Sequence, residues 1–199
     1  MTDKNQRHYK RMQRKKEVID KNISAAKKEK GLLLVITGNG KGKSSSAFGM
    51  IARSLGHGMK VGVVQFIKGR TDTGEEAFFA PHSDVDWQVM GEGFTWDTQN
   101  REKDIIAAQK GWAEAQRMLA DPSYNLIILD ELTYILNYKY LESDSVISDI
   151  NNRPKMQHVV ITGRAASDAL CNNADTVSEI VDVKHAYRAG IKAQLGIDL

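Results

Sequence analysis

A single cysteine, Cys171, stands in this chain of 199 residues. It excludes an internal disulfide and leaves no partner for a cysteine-rich metal site. A cytoplasmic compartment is therefore the expectation. Long apolar runs are missing as well: none approaches the ~20 residues of a transmembrane helix, so no membrane partner is expected. The opening Met1-Thr2-Asp3-Lys4-Asn5-Gln6-Arg7 has no apolar core behind it and does not read as a secretory signal. His57, His82, His158 and His185 lack metal-ligand spacing and read as structural or surface residues. Internal repeats and low-complexity stretches are also absent.

What remains is ordinary for a soluble globular protein: 41% apolar and 27% charged residues, and enough length for one α/β domain with a full core. The net charge of +3 is unevenly spread. Residues 1–30 hold eleven Lys/Arg against four Asp/Glu, and the remainder holds seventeen against twenty-one. The chain thus divides into a basic N-terminal arm, 1–30, and a mildly acidic body, 31–199. Tyr9, Met12, Ile19 and Ile23 fall on one helical face of the arm. That pattern suits a helix docking on a partner subunit; a polyanion-binding arm and a frayed, solvated arm are the other readings.

The body opens with a strand that runs straight into a glycine-rich loop. Leu32-Leu33-Leu34-Val35-Ile36-Thr37 is apolar and of strand length; Gly38-Asn39-Gly40-Lys41-Gly42-Lys43-Ser44 follows, and Ser45 to Ile51 reads as a helix. Strand, glycine loop, Gly-Lys-Ser and helix is the order of a phosphate-binding loop. Its backbone N–H groups turn inward on phosphate oxygens, the helix start adds a positive dipole end, Lys43 reaches the phosphates and the Ser44 hydroxyl ligates Mg²⁺. The loop is irregular: Thr37 occupies the place of the usual first glycine, and Gly38 comes one residue late. A chance turn between strand and helix is the competing reading.

Further strands are expected at Lys60–Phe66, Asp86–Met90, Leu126–Glu131, Gln157–Thr162 and Val177–Val183, separated by helices at Glu75–Phe79, Asn100–Leu119, Leu132–Tyr140, Ser143–Ile150 and Ser167–Asn172. The tail to Leu199 reads as a covering segment. Apolar strands alternating with helices predict an α/β fold of the P-loop NTPase, RecA-like type, a mostly parallel sheet with helices on both faces behind the basic helical arm. Ligands in such sheets bind at the carboxyl ends of strands. The loop at 38–44, Asp130-Glu131, Phe94 and Trp96, and Gly163-Arg164 all follow strands, so they should meet at one edge.

Asp130 and Glu131, after four apolar residues, suit a Walker B strand whose carboxylate holds Mg²⁺ opposite Ser44; an acidic helix cap is the alternative. Arg164 can grip a triphosphate or make a surface ion pair. Lys41 either adds a loop charge or points to solvent. Phe94 and Trp96, beside Gly91 and Gly93, either wall an apolar ligand face or fold back into the core. No motif for positioning an attacking water and no lid segment can be recognised.

Taken together, Thr37 to Ser44, Val63-Val64-Gln65-Phe66-Ile67-Lys68-Gly69, Gly93 to Arg101, Leu129-Asp130-Glu131-Leu132-Thr133-Tyr134, Thr162-Gly163-Arg164 and the tail blocks Val183-Lys184-His185-Ala186 and Gly190-Ile191-Lys192-Ala193-Gln194 resemble the ATP:corrinoid adenosyltransferases of the CobA/BtuR/CobO type. The resemblance runs from Gly31 onward; Ser44 stands where members often carry Thr. It implies transfer of the 5′-deoxyadenosyl group of ATP to corrinoid Co(I), with triphosphate leaving and ATP held reversed along the loop. It implies that Gly38, Asn39, Gly40, Lys41, Gly42, Lys43, Ser44 and Arg164 bind the triphosphate, and that Ser44 and Glu131, with Asp130 nearby, hold Mg²⁺ or Mn²⁺. Phe94 and Trp96 would exclude the lower axial ligand from Co(II). It further implies a homodimer, with the arm capping the partner's site, and a flavodoxin-type reductant. A phosphoryl-transferring ATPase or kinase is the alternative. A nucleic-acid-binding ATPase using the arm is a third reading, although no nucleic acid partner is expected.

Overall fold

The computed structural model describes residues 3–67, 73–90 and 100–198. The chain divides into two compact units, Met1–Lys30 and Gly31–Leu199. The first is built on helix α1, Asp3–Ala25. Its sequence is free of glycine and proline and rich in Lys, Arg and Gln, all good helix formers. Tyr9, Met12, Ile19 and Ile23 lie exposed along it.

Among the described residues, the second unit holds six strands: β1 Leu33–Thr37, β2 Val61–Gln65, β3 Val85–Val89, β4 Leu126–Asp130, β5 His158–Thr162 and β6 Thr176–Glu179. Every pairing is parallel, in the order β3-β2-β4-β5-β1-β6. Helices α2 (Lys43–Leu55), α3 (Gly74–Phe79), α4 (Arg101–Ala120), α5 (Leu132–Asn137), α6 (Ser143–Asn151) and α7 (Asp168–Asn173) connect them.

Period-two alternation divides the strand side chains between two cores. Ile36, Val61, Val63, Ile128 and Val160 pack with Ala47, Phe48 and Ile51 of α2 and Phe79 of α3. Val35, Val64, Ile127, Leu129, Val159 and Ile161 pack on the opposite face with α4, α5, α6 and α7, through Trp112, Met118, Leu132, Ile150 and Leu170. Each fully buried large apolar side chain contributes about 1.5–3 kcal/mol. The near-continuous apolar strands are thus explained by helices on both faces, as expected.

Three local expectations are corrected. β4 ends at Asp130, because Glu131 turns into the left-handed region at φ 61° and starts α5. The helix expected over 132–140 ends at Asn137, because Lys139 is left-handed at φ 55°. β6, which pairs with β1 at the sheet edge, stops at Glu179, where β1 reaches Gly38 and bends away. Of the segment beyond it, Ile180 packs against the α2-side core, while Val183 and Leu195 are each 88% exposed and cover nothing.

Candidate active site

Gly38 leaves β1 at φ 100°, and a Cβ there would meet the Ile180 carbonyl oxygen at 2.4 Å. Only glycine permits both the turn and this close approach. Gly40 N–H donates to that same carbonyl at 2.7 Å, so the segment after β6 braces the phosphate loop. The irregular Thr37 also has a structural use. Its Oγ1 accepts the Ala166 N–H at 3.1 Å, tying the loop to the segment after β5.

Lys43 opens α2 and is buried; its Nζ donates to the Gly40 carbonyl at 2.8 Å. Burial holds its pKa below the usual lysine range; Glu131 and Asp130 oppose the shift, Arg164 and Lys41 reinforce it. Four of the expected site residues therefore surround Lys43 closely enough to bear on its charge. Ser44, half-buried, is the next residue of α2.

A polar row runs from Trp87, in the middle of β3, across the carboxyl ends of β2, β4 and β5. Trp87 Nε1 donates to Gln65 Oε1 at 3.1 Å, and Gln65 Nε2 donates to Asp130 Oδ2 at 3.0 Å. Thr162 Oγ1 donates to Asp130 Oδ1 at 2.7 Å and accepts the Glu131 N–H at 2.9 Å. Asp130, Gln65 and Thr162 are completely buried, so their mutual satisfaction is what makes the burial tolerable. The Ser44 hydroxyl and the two carboxylates are hard oxygen donors of the kind that could hold a divalent cation such as Mg²⁺. No group of three or more His, Cys, Asp or Glu residues suited to a metal occurs among the described residues.

The loop after β5 carries Arg164. Gly163 sits at φ 138°, and a Cβ there would lie 2.0 Å from Thr133 Oγ1 and 3.2 Å from Glu131 Oε2. Thr133 Oγ1 donates to the Arg164 carbonyl at 2.8 Å, and Asn137 Nδ2 donates to the Ala165 carbonyl at 3.1 Å. Helix α5 thereby fixes the arginine loop beside the carboxylates. Asn39 and Arg164 line an open cleft of about 320 Å³ with Asp182, His185, Tyr187 and Arg188 of the tail. Lys41 resolves its two readings differently from either: it forms an ion pair with Asp198.

The structure thus brings together Gly38 to Ser44, Asp130, Glu131 and Arg164. Phe94 and Trp96 lie outside the described residues. Sequence reasoning assigned no role to Gln65, Thr162, Thr133 or Asn137. For the first two the signal was present, a polar residue closing a buried apolar strand. Three of the four histidines read as structural or surface residues, His158, His82 and His185, each accept a backbone N–H through Nδ1, from Leu32, Asp84 and Tyr187.

A parallel sheet whose strand ends carry a glycine loop, a buried lysine, a helix-start hydroxyl and a carboxylate pair defines a P-loop nucleotide-binding α/β protein. Within that class, residues 29–199 match the family of ATP:corrinoid adenosyltransferases BtuR/CobO/CobP, and residues 1–23 match the cob(I)alamin adenosyltransferase N-terminal family. The chain belongs to the ATP:corrinoid adenosyltransferase family. It is 59% identical to the corrinoid adenosyltransferase of Pseudomonas aeruginosa, over 98% of this chain and 97% of that protein. It is 52% identical to the corrinoid adenosyltransferase of Escherichia coli K12, over 97% and 98% respectively. Among solved structures, the flagellar accessory protein FlaH of Methanocaldococcus jannaschii is a distant likeness, with TM-score 0.49 and 11% identity over 76% of this chain and 71% of that one.

Proposed function

We propose that this enzyme transfers the 5′-deoxyadenosyl group of ATP to the Co(I) centre of a corrinoid, in adenosylcobalamin biosynthesis or salvage. The Co(I) electron pair forms a Co–C bond to C5′. The C5′–O bond breaks, and its electron pair leaves with inorganic triphosphate. The nucleophile is the substrate's own metal, so the protein has no water to activate. Its task is to hold ATP reversed along the loop and to stabilise charge on the leaving group.

The N–H groups between Gly38 and Ser44, the Lys43 ammonium and the Arg164 guanidinium carry that charge stabilisation. Ser44 and Glu131, with Asp130 nearby, would hold Mg²⁺ or Mn²⁺. Such an ion acts as a Lewis acid on the triphosphate oxygens. Phe94 and Trp96 keep the lower axial ligand, water included, away from Co(II). The four-coordinate centre then takes one electron more readily from a flavodoxin-type reductant, giving Co(I). The enzyme works as a cytoplasmic homodimer in which α1 caps the partner's site.

One convergence supports this reading: Lys43 feels the charges of Glu131, Asp130 and Arg164 together, in a chain that matches the adenosyltransferase family over residues 29–199. The test is anaerobic incubation with ATP, Mg²⁺ and chemically reduced cob(I)alamin, followed by absorbance. A light-sensitive alkylcobalamin with equimolar triphosphate is expected; ADP and phosphate without a Co–C product would overturn the reading. Phe94→Ala or Trp96→Ala should cripple turnover from Co(II) and spare turnover from supplied Co(I).

A further inference from the structure

Trp87, in the middle of β3, makes two kinds of contact that lead to the phosphate site by separate routes. Its ring lies against Phe48, with centroids 5.1 Å apart and planes inclined by 46°. Phe48 belongs to α2, four residues beyond Ser44, so the two side chains share a face of that helix. On its other route, the indole N–H donates to Gln65 Oε1 at 3.1 Å, and Gln65 Nε2 donates to Asp130 Oδ2 at 3.0 Å.

Sheet register makes the second route possible. Trp87 pairs with Val63, and Gln65 pairs with Asp130. Val63 and Ile128 point into the α2-side core, and Gln65 and Asp130, two residues further along the same strands, share that face. The row therefore runs under the helix that carries Lys43 and Ser44.

The hydrogen bonds along it have one direction. An indole N–H donates and cannot accept, so the Gln65 atom that faces it is the carbonyl oxygen. The amide nitrogen is thereby turned toward Asp130. Gln65 is completely buried, and loss of the indole donor would leave its carbonyl oxygen short of a partner. The amide would turn or shift to find another, and Asp130 would lose a fixed donor. The ring itself is held in place by Phe48 and by Phe79, which stacks on it at 6.5 Å and 9°. Tryptophan suits this position because it joins a large apolar face to a donor that cannot accept.

We infer that Trp87 is a positioning residue for the divalent cation that accompanies ATP: acting through Gln65, and referenced to α2 by Phe48, it sets where the Asp130 carboxylate stands relative to the Ser44 hydroxyl. The inference rests on the nucleotide and cation of the adenosyltransferase reading. Mg²⁺ demands near-ideal octahedral geometry at about 2.0–2.1 Å, so a small displacement of one donor weakens its hold. Trp87 acts in this scheme through its neighbours and not on either substrate.

The test is calorimetric binding of ATP, once with Mg²⁺ and once with EDTA, together with the KM for cob(I)alamin and a thermal melt. Trp87→Phe keeps a ring against Phe48 and Phe79 and removes the N–H. It should weaken Mg-ATP binding about fivefold, the scale of one hydrogen bond, and leave metal-free ATP and the corrinoid KM within about twofold. Gln65→Met breaks the relay while keeping the indole and its stacking, and should show the same selective loss; it serves equally should Trp87→Phe melt early. Adding Trp87→Phe to Gln65→Met should cost little more, because both changes cut one route. Unchanged Mg-ATP binding in the folded variants overturns the inference, as do equal losses with and without metal. Additive losses in the double variant overturn it too, since Trp87 would then act by another path. If the parent shows the metal-selective pattern but forms no Co–C bond, the functional reading fails and this inference stands.

Discussion

Thr162 Oγ1 donates to Asp130 Oδ1 at 2.7 Å and itself accepts the Glu131 N–H at 2.9 Å. One hydroxyl on β5 therefore orients a buried carboxylate and pins the backbone of the next residue, where the chain turns left-handed. Thr162→Val replaces it with a methyl group of similar size. A buried carboxylate oxygen and an amide then lose their partner, at a cost of about 1–3 kcal/mol. The expected result is a lower melting temperature and a raised KM for Mg-ATP, with Thr162→Ser restoring both. An unchanged ATP KM in a destabilised Thr162→Val would confine Thr162 to a role in folding.

Lys43 predicts a pH dependence. Triphosphate binding needs its proton, and burial, aided by Arg164 and Lys41, lowers its pKa. The alkaline limb of kcat/KM for ATP should therefore begin below the ordinary lysine range. The stability effect has the opposite sense. Between the lowered folded pKa and the ordinary value, the unfolded chain binds more protons, so Lys43's contribution becomes more favourable as pH rises through that window. Lys43→Ala should lower kcat/KM by roughly 10²–10³-fold, the scale of losing a preorganised charge-stabilising group. A pH–rate profile whose alkaline limb survives in Lys43→Arg without shifting would assign that limb to another group.

Gly163→Ala should be among the most damaging small substitutions in the body of the protein. Backbone at φ 138° costs an alanine roughly 1–3 kcal/mol. The added Cβ would also strike Thr133 Oγ1. The arginine loop must move or α5 must yield, and both carry site residues. Thermal melts and ATP binding by calorimetry should fall together. Adding Thr133→Ala should recover the part due to the clash and leave the backbone strain.

The Lys41–Asp198 ion pair places a tail carboxylate on the phosphate loop, where triphosphate competes for the same ammonium. Hydrogen bonding to Lys41, and then to the Gln194 N–H, holds the Asp198 carboxyl below the usual carboxylate range, so the pair persists through neutral pH. Asp198→Asn should release Lys41 and lower the ATP KM by about two- to fivefold at low ionic strength, the difference shrinking in salt as screening sets in. Titrating KM against salt for both proteins checks this; a higher KM in Asp198→Asn would show that the tail assists nucleotide binding.

Much of the site was legible because it is written locally. Gly38 to Ser44 declare a phosphate loop through residues that are neighbours in sequence, and Asp130-Glu131 ends a strand whose apolar run is unmistakable. Gln65 and Thr162 entered only as members of the blocks that carry the family resemblance, with no role of their own. Their use depends on β2 and β5 flanking β4, a pairing that no local pattern specifies. Lys41 was equally undecidable, since its partner is the penultimate residue of the chain.

By itself, then, the sequence determined the order of strands and helices, the glycine loop with Lys43 and Ser44, the acidic strand end and the division of charge between arm and body. These depend on side-chain periodicity and on backbone freedom over a few residues. Tertiary structure alone decided the strand order β3-β2-β4-β5-β1-β6, the buried row through Asp130 and the bracing of the loop by the tail. The physical reason is separation: Gln65 and Asp130 lie 65 residues apart, Asp130 and Thr162 32, and Lys41 and Asp198 157. Such contacts form only once parallel crossovers have brought the strand ends to one edge.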